Sequence, residues 1–155
     1  ADRPIPPEVS VRGHEHLLGE STLSVFAAPS LAERLQGDFP RLLDGAPFLL
    51  PGEDVAHRGA LLQWFERVRI RPAIVAEFDD SALMKAFGQA GDGVFAAPTT
   101  IADYVCRQYG VRLLGEVPDA RARIYAITTE RRLSHPAMQA IRNAASRALT
   151  PAPRA

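Results

Sequence analysis

Two pairs of acids carry the most suggestive chemistry in this chain. Glu53-Asp54 and Asp79-Asp80 each follow a short apolar run and precede an amphipathic one. Carboxylates at such junctions can hold a hard cation through oxygen. They also complement the dipole of a following helix, which is their commoner role. His14-Glu15-His16 sets two imidazoles on one face of an extended segment. A metal site needs a third or fourth ligand, and none stands nearby in sequence. His57 and His135 are isolated, so the histidines read as structural or surface residues and no metal ligand set is assigned.

Nucleophilic and nucleotide chemistry find little support. Cys106, the single cysteine, sits beside apolar Val105 and reads as a core thiol. The chain has no Gly-x-Ser-x-Gly elbow, and nothing marks out a Ser-His-Asp set assembled from distant residues. Gly91-x-Gly93-x-x-Ala96 has the letters of a dinucleotide fingerprint. That fingerprint works only after a strand and before a helix, where phosphate meets helical N–H groups. Here the order is reversed, and the glycines read as a helix cap with a tight turn. No cofactor is expected.

The elements that must position these residues alternate. Strands are expected over 23–28, 48–50, 73–78, 94–97, 111–117 and 123–129. The 48–50 run is wholly apolar and should be central. Ser30 and Glu33 form a capping box for a short helix to about 36, stopped by Gly37. A helix over 57–69 aligns Leu61, Leu62, Phe65 and Val68, with Trp64 at the edge of that face. Asp80 or Ser81 caps the next helix, whose apolar positions are Leu83, Met84, Phe87 and Ala90, and Gly91 closes it. Thr100 and Asp103 make a box-like cap for a helix that ends at Gly110. Pro136 opens the last helix, striped by Met138, Ile141, Ala145 and Leu149.

Strand–helix–strand with short links specifies an α/β fold: a mostly parallel sheet with helices on both faces. Ligands of such sheets sit beyond the carboxyl ends of the strands. Three loops, 51–57, 79–82 and 98–101, occupy that position.

Composition narrows the class. The 155 residues are 46% hydrophobic and 23% charged, with zero net charge. A chain of this size can bury roughly 70% of its unfolded surface without disulfide staples. Zero net charge argues against binding a polyanion through bulk electrostatics. The balance is uneven, however: residues 1–120 hold 17 acids and 11 bases, whereas 121–155 hold Glu130 as the only acid against seven arginines. The basic stretch reads as a helical C-terminus with solvated arginines. No apolar run approaches the ~18 residues of a membrane span, and the proline-rich first seven residues do not read as a signal peptide. The two ends, 1–7 and 150–155, read as extended and frayed.

Specific wording then adds to the pattern. His16-Leu17-Leu18-Gly19-Glu20, Phe26-Ala27-Ala28-Pro29 and the run from Leu43 to Pro51 come first. Gln63-Trp64-Phe65-Glu66-Arg67, the run from Glu77 to Gly88 and Glu130-Arg131-Arg132-Leu133-Ser134-His135-Pro136 follow. In that order they resemble the C-terminal effector-binding part of LysR-type transcriptional regulators. Within that family the nearest likeness is to the branch that activates sodium/proton antiporter genes. The Gly91–Pro98 stretch fits the family pattern of a glycine-bounded strand ending in proline. The resemblance covers about residues 8–145.

The resemblance implies a periplasmic-binding-protein-like lobe, part of a two-lobed effector domain. Residues 1–22 would be the end of the first lobe. Residues 23–129 would form the second lobe with both crossover strands, and 130–155 the C-terminal helix of the first lobe with a frayed tail. It implies an effector site at Gly52, Glu53, Asp54, Asp79, Asp80, Ser81, Pro98, Thr99 and Thr100. The effector would be an anionic metabolite or another small molecule, or an ion, since the antiporter branch is associated with sodium and lithium. The implied protein is a cytoplasmic homo-oligomer and not an enzyme. It would touch DNA only through an N-terminal helix-turn-helix absent from these residues, and no membrane. A solute-binding receptor of the same two-lobed fold is the alternative. Less favoured is a small α/β enzyme using His57 or His135 with a nearby acid.

Overall fold

The computed structural model describes residues 13–129 and 135–149. The expectations for both chain ends, and the wording at 130–134, lie outside them. The chain divides into two compact units. One is 22–121. The other combines, among the described residues, 13–21 with 122–129 and 135–149.

Within the larger unit, β2 (Pro47–Pro51) and β3 (Ala73–Phe78) run parallel, paired from Pro47↔Ala73 to Pro51↔Phe78 with a shift of register between Phe48 and Leu49. On its other side β2 bonds to Val94: Leu49 N donates to Val94 O at 2.8 Å, and Val94 N to Pro47 O at 2.8 Å. Two neighbours leave no solvated edge on β2, which is why Phe-Leu-Leu fits there. β4 (Phe95–Pro98) continues from Val94 and pairs with β1 (His14–Ala27). That pairing is antiparallel, from Leu23↔Pro98 to Phe26↔Phe95. β1 also neighbours β5 (Arg112–Thr128), so the mostly parallel pattern acquires an antiparallel side.

The helices cover this framework. α2 (Arg58–Val68) buries Leu61, Trp64 and Phe65. Trp64 belongs to the buried stripe and not to its edge. Its ring stacks on Phe39 at 5.8 Å, and Phe65 meets Phe48 edge-on at 5.2 Å. α3 (Ser81–Ala90) contributes Met84 to a core with Phe26, Leu49, Phe95 and Val105. Phe26 and Phe95 stack there at 5.5 Å. Gly91 closes α3 at φ +88°, a left-handed cap that glycine adopts without steric cost. This is the helix cap expected of the Gly91-x-Gly93 string. Cys106, on α4 (Ala102–Tyr109), is partly buried against the same core.

Several local expectations fail for identifiable reasons. α1 (Pro29–Ala32) starts at Pro29, whose locked φ suits a first helical position, with Ala28 as its N-cap. Ser30 therefore lies inside the helix and makes no capping box with Glu33, and the helix ends at Ala32, short of residue 36. α4 likewise begins after a 3-10 turn over Thr99–Ile101, with Ile101 at its N-cap and no side-chain cap from Thr100. β1 starts at His14, nine residues before the apolar run at Leu23. The two strands expected over 111–117 and 123–129 are one continuous strand, β5.

In the smaller unit, α5 (Pro136–Leu149) begins at Pro136 as expected. Only Leu149 of its stripe is buried, against Gly19, where an added Cβ would lie 2.6 Å from Leu149 Cβ. Ile141 is 50% exposed. No helix among the described residues is long and apolar enough to cross a membrane.

Candidate functional site

The register places the three sequence-identified loops on one edge of the 22–121 unit. Pro51 and Phe78 end β2 and β3 as partners, and Pro98 ends β4 opposite Leu23. Gly52, Asp79 and Thr99 thus follow neighbouring strand ends. Gly52 N donates to Phe78 O at 2.7 Å, and a Cβ on Gly52 would collide with the Asp79 carboxylate. Only glycine lets these two loops approach so closely.

The acids take separate roles. Asp80 is the N-cap of α3: its Oδ1 accepts from Ala82 N at 2.8 Å and from Leu83 N at 2.9 Å. Ser81 is the first helical residue and is exposed. Glu53 and Asp54 form an exposed turn. No group of three or more His, Cys, Asp or Glu among the described residues is placed to hold a metal ion. Because Asp80 satisfies two otherwise orphan amides, Asp80→Ala is expected to lower stability by about 1 kcal/mol, with Asp80→Asn close to wild type. Urea unfolding of both variants checks this.

Four residues outside the sequence-based expectations complete the edge. Thr99 Oγ1 lies 2.8 Å from both Thr22 Oγ1 and Ser24 Oγ. Thr22 Oγ1 donates to Glu116 Oε1 at 2.6 Å. Each hydroxyl has one proton, so a Thr22 proton given to Glu116 leaves Thr99 to supply the next bond. Ser24 is fully buried. The only signal for it was a serine inside the apolar run Leu23-Ser24-Val25-Phe26. The fourth residue, Arg58, donates through Nη1 to Pro51 O at 2.6 Å and Glu77 Oε2 at 3.0 Å, and through Nη2 to Glu77 Oε1 at 3.3 Å. One guanidinium ties the first turn of α2 to the ends of β2 and β3. Lys85, on α3, is half-buried; burial pushes its ammonium below the usual lysine range, against the pull of Asp80.

The remaining candidates do not gather here. His57 is buried just before α2. His135 Nδ1 accepts from Ala137 N at 3.2 Å at the start of α5, in the other unit. His16 Nε2 lies 3.1 Å from Thr128 Oγ1, also in that unit.

An α/β unit with its polar loops and part-buried hydroxyls at the carboxyl edge belongs to the class of small-ligand-binding domains. Comparison with known proteins names the family: residues 6–150 match the LysR substrate binding domain, and the chain belongs to that family. Among particular relatives, it is 38% identical over 105 residues to the transcriptional activator protein NhaR of Escherichia coli strain K12. That match covers 68% of this chain and 35% of NhaR, so the chain corresponds to about a third of that protein's length. The fold is similar to that of the effector binding domain of QuiR in complex with shikimate (TM-score 0.57, 19% identity, 93% of this chain and 68% of that one). It is also similar to part of CbnR, a LysR family transcriptional regulator (TM-score 0.63, 16% identity, 92% of this chain and 48% of that one).

Proposed function

We propose that this chain is the effector-sensing part of a LysR-type transcriptional regulator, related to the NhaR activator, and that it binds its effector without turning it over. The observation that carries the reading is the Thr22–Ser24–Thr99–Glu116 network at the carboxyl edge, in a chain of this family. The Thr99 hydroxyl meets two other hydroxyls there and no imidazole, which suits recognition better than nucleophilic attack. The effector contacts are Gly52, Glu53 and Asp54, Asp79 and Ser81, and Pro98 to Thr100, with Asp80 holding α3 in place. Helical N–H groups at the start of α2 suit an anionic group on the effector, whereas those of α3 are already taken by Asp80. QuiR's complex with shikimate, a hydroxylated carboxylate, supports the same ligand class. The acids at 53–54 and 79 make a monovalent cation the second effector class.

The protein acts in the cytoplasm as a homo-oligomer. Its DNA contacts come from a helix-turn-helix outside these 155 residues. Effector binding shifts the balance between two arrangements of the oligomer in proportion to its differential affinity for them.

Thermal unfolding tests this reading, first with shikimate and related hydroxy acids, then in sodium, lithium and potassium chloride at equal ionic strength. A ligand at a hundred times its dissociation constant adds about 2.7 kcal/mol of stability. The expected result is a saturable rise in Tm with one of these ligands that Thr99→Val removes. Identical curves for every ligand, or a rise that survives Thr99→Val, would contradict the assignment.

A further inference from the structure

The amino end of β2, opposite the effector edge, opens a second site. An open cavity of about 370 Å³ lies there between the α1 segment and the chain entering β2, with the exposed side chains of Arg34 and Asp44 at its rim. Leu31, Leu35, Leu42 and Pro47 form its apolar walls. Its volume falls in the roughly 300–1,000 Å³ range of small-molecule pockets.

Two opposite charges line the same cavity, Arg34 and Asp44, and they do not pair with each other. The Asp44 side is rigid: its Oδ1 accepts from Arg71 N at 2.9 Å, while Gly45 N donates to Arg71 O at 2.9 Å. Arg41, nearby in sequence, is spent on the scaffold through Nη1 to Arg69 O at 3.3 Å. Arg34 makes no side-chain hydrogen bond or ion pair among the described residues. A guanidinium in that condition is a bidentate donor for a carboxylate. The second oxygen of Asp44 can accept from an ammonium.

We propose that this cavity binds an apolar α-amino acid as its zwitterion. The carboxylate meets Arg34, the ammonium meets Asp44, and an aliphatic side chain of about the size of leucine's lies against Leu31, Leu35 and Leu42. Opposite charges flanking apolar walls match an amino acid and mismatch a plain fatty acid or amine, either of which would leave one charge facing its own sign or nothing. The site is separate from the effector edge, so its failure would leave the proposed function untouched.

Amide NMR titration with L-leucine tests it, with 4-methylpentanoate and 3-methylbutylamine as the analogues lacking one charge each. Leucine is expected to shift the Gln36 and Gly45 amides saturably. Affinity should fall at least about tenfold for each analogue and for Arg34→Gln, the loss expected when a charged hydrogen bond goes unmade. Thr99→Val should leave leucine binding unchanged. No saturable shift at millimolar leucine would overturn the proposal. So would shifts confined to other residues, equal affinity for an analogue, or binding unaffected by Arg34→Gln. The amide spectrum of Arg34→Gln without ligand confirms that the variant is folded.

Discussion

Phe95→Ala is expected to cost about 3–5 kcal/mol of unfolding free energy, the usual range for deleting a buried aromatic side chain. Phe95 is fully buried at the start of β4. Its ring stacks on Phe26 at 5.5 Å and 22°, in the cluster that also holds Leu49, Met84 and Val105. Those neighbours come from β1, β2, α3 and α4, four elements that cannot all close on the space left behind. Domains have only about 5–15 kcal/mol in total, so this one substitution removes a large share of the stability. Phe95→Leu keeps most of the volume and should lose markedly less. Guanidinium denaturation, comparing midpoints at equal slope, measures both. A loss under about 1 kcal/mol for Phe95→Ala would mean that the Phe26–Phe95 stack is not part of a closed core.

Gly88→Val is the second large effect, and it acts on the same ring from the other side. Gly88 lies in α3, where glycine is ordinarily a weak choice. An added Cβ would run into the Cδ1–Cε1 edge of Phe95. The ring is held by Phe26 and cannot step aside, so α3 must move instead. Overpacking of this kind costs about 1–3 kcal/mol. Because α3 is capped by Asp80, on the candidate effector edge, its displacement should also weaken any effector-dependent rise in Tm. Coupling gives the sharper test. Gly88→Ala combined with Phe95→Leu should lose less stability than the two single losses added together, since each relieves the other. Strict additivity would show that Gly88 and Phe95 do not share that space.

Gly88 and Phe95 lie on elements that are legible in the sequence, but their meeting is not. β3 was expected over 73–78 and is found over Ala73–Phe78, because β-branched and aromatic residues between Pro72 and Asp79 leave one reading. The end of α3 at Gly91 follows from the αL position that glycine fills at a helix end. Likewise, the placement of loops 51–57, 79–82 and 98–101 at one edge follows from parallel strand–helix–strand connectivity.

Capping departs from expectation where two rules compete. Ser30 and Glu33 carry the spacing of a capping box, but Pro29 claims the first helical position, and backbone geometry outranks a side-chain hydrogen bond. Leu-Ser-Val-Phe marked only the apolar half of β1. Its polar first half, from His14, pairs across to β5 and has no hydrophobic alternation to reveal it.

The α/β class, the family and the three loops can be read along the chain, since periodicity, turn residues and family wording are local properties. Tertiary structure alone decided that Thr22 meets Thr99 and Glu116, that Arg58 clasps Glu77, and that Arg34 and Asp44 face one cavity. Thr22 and Thr99 are 77 positions apart, and Thr22 and Glu116 are 94 apart. A hydroxyl has no periodicity that announces its partner. Only the antiparallel register of β1 on β4, set by packing Phe26 against Phe95, brings those hydroxyls within hydrogen-bonding distance.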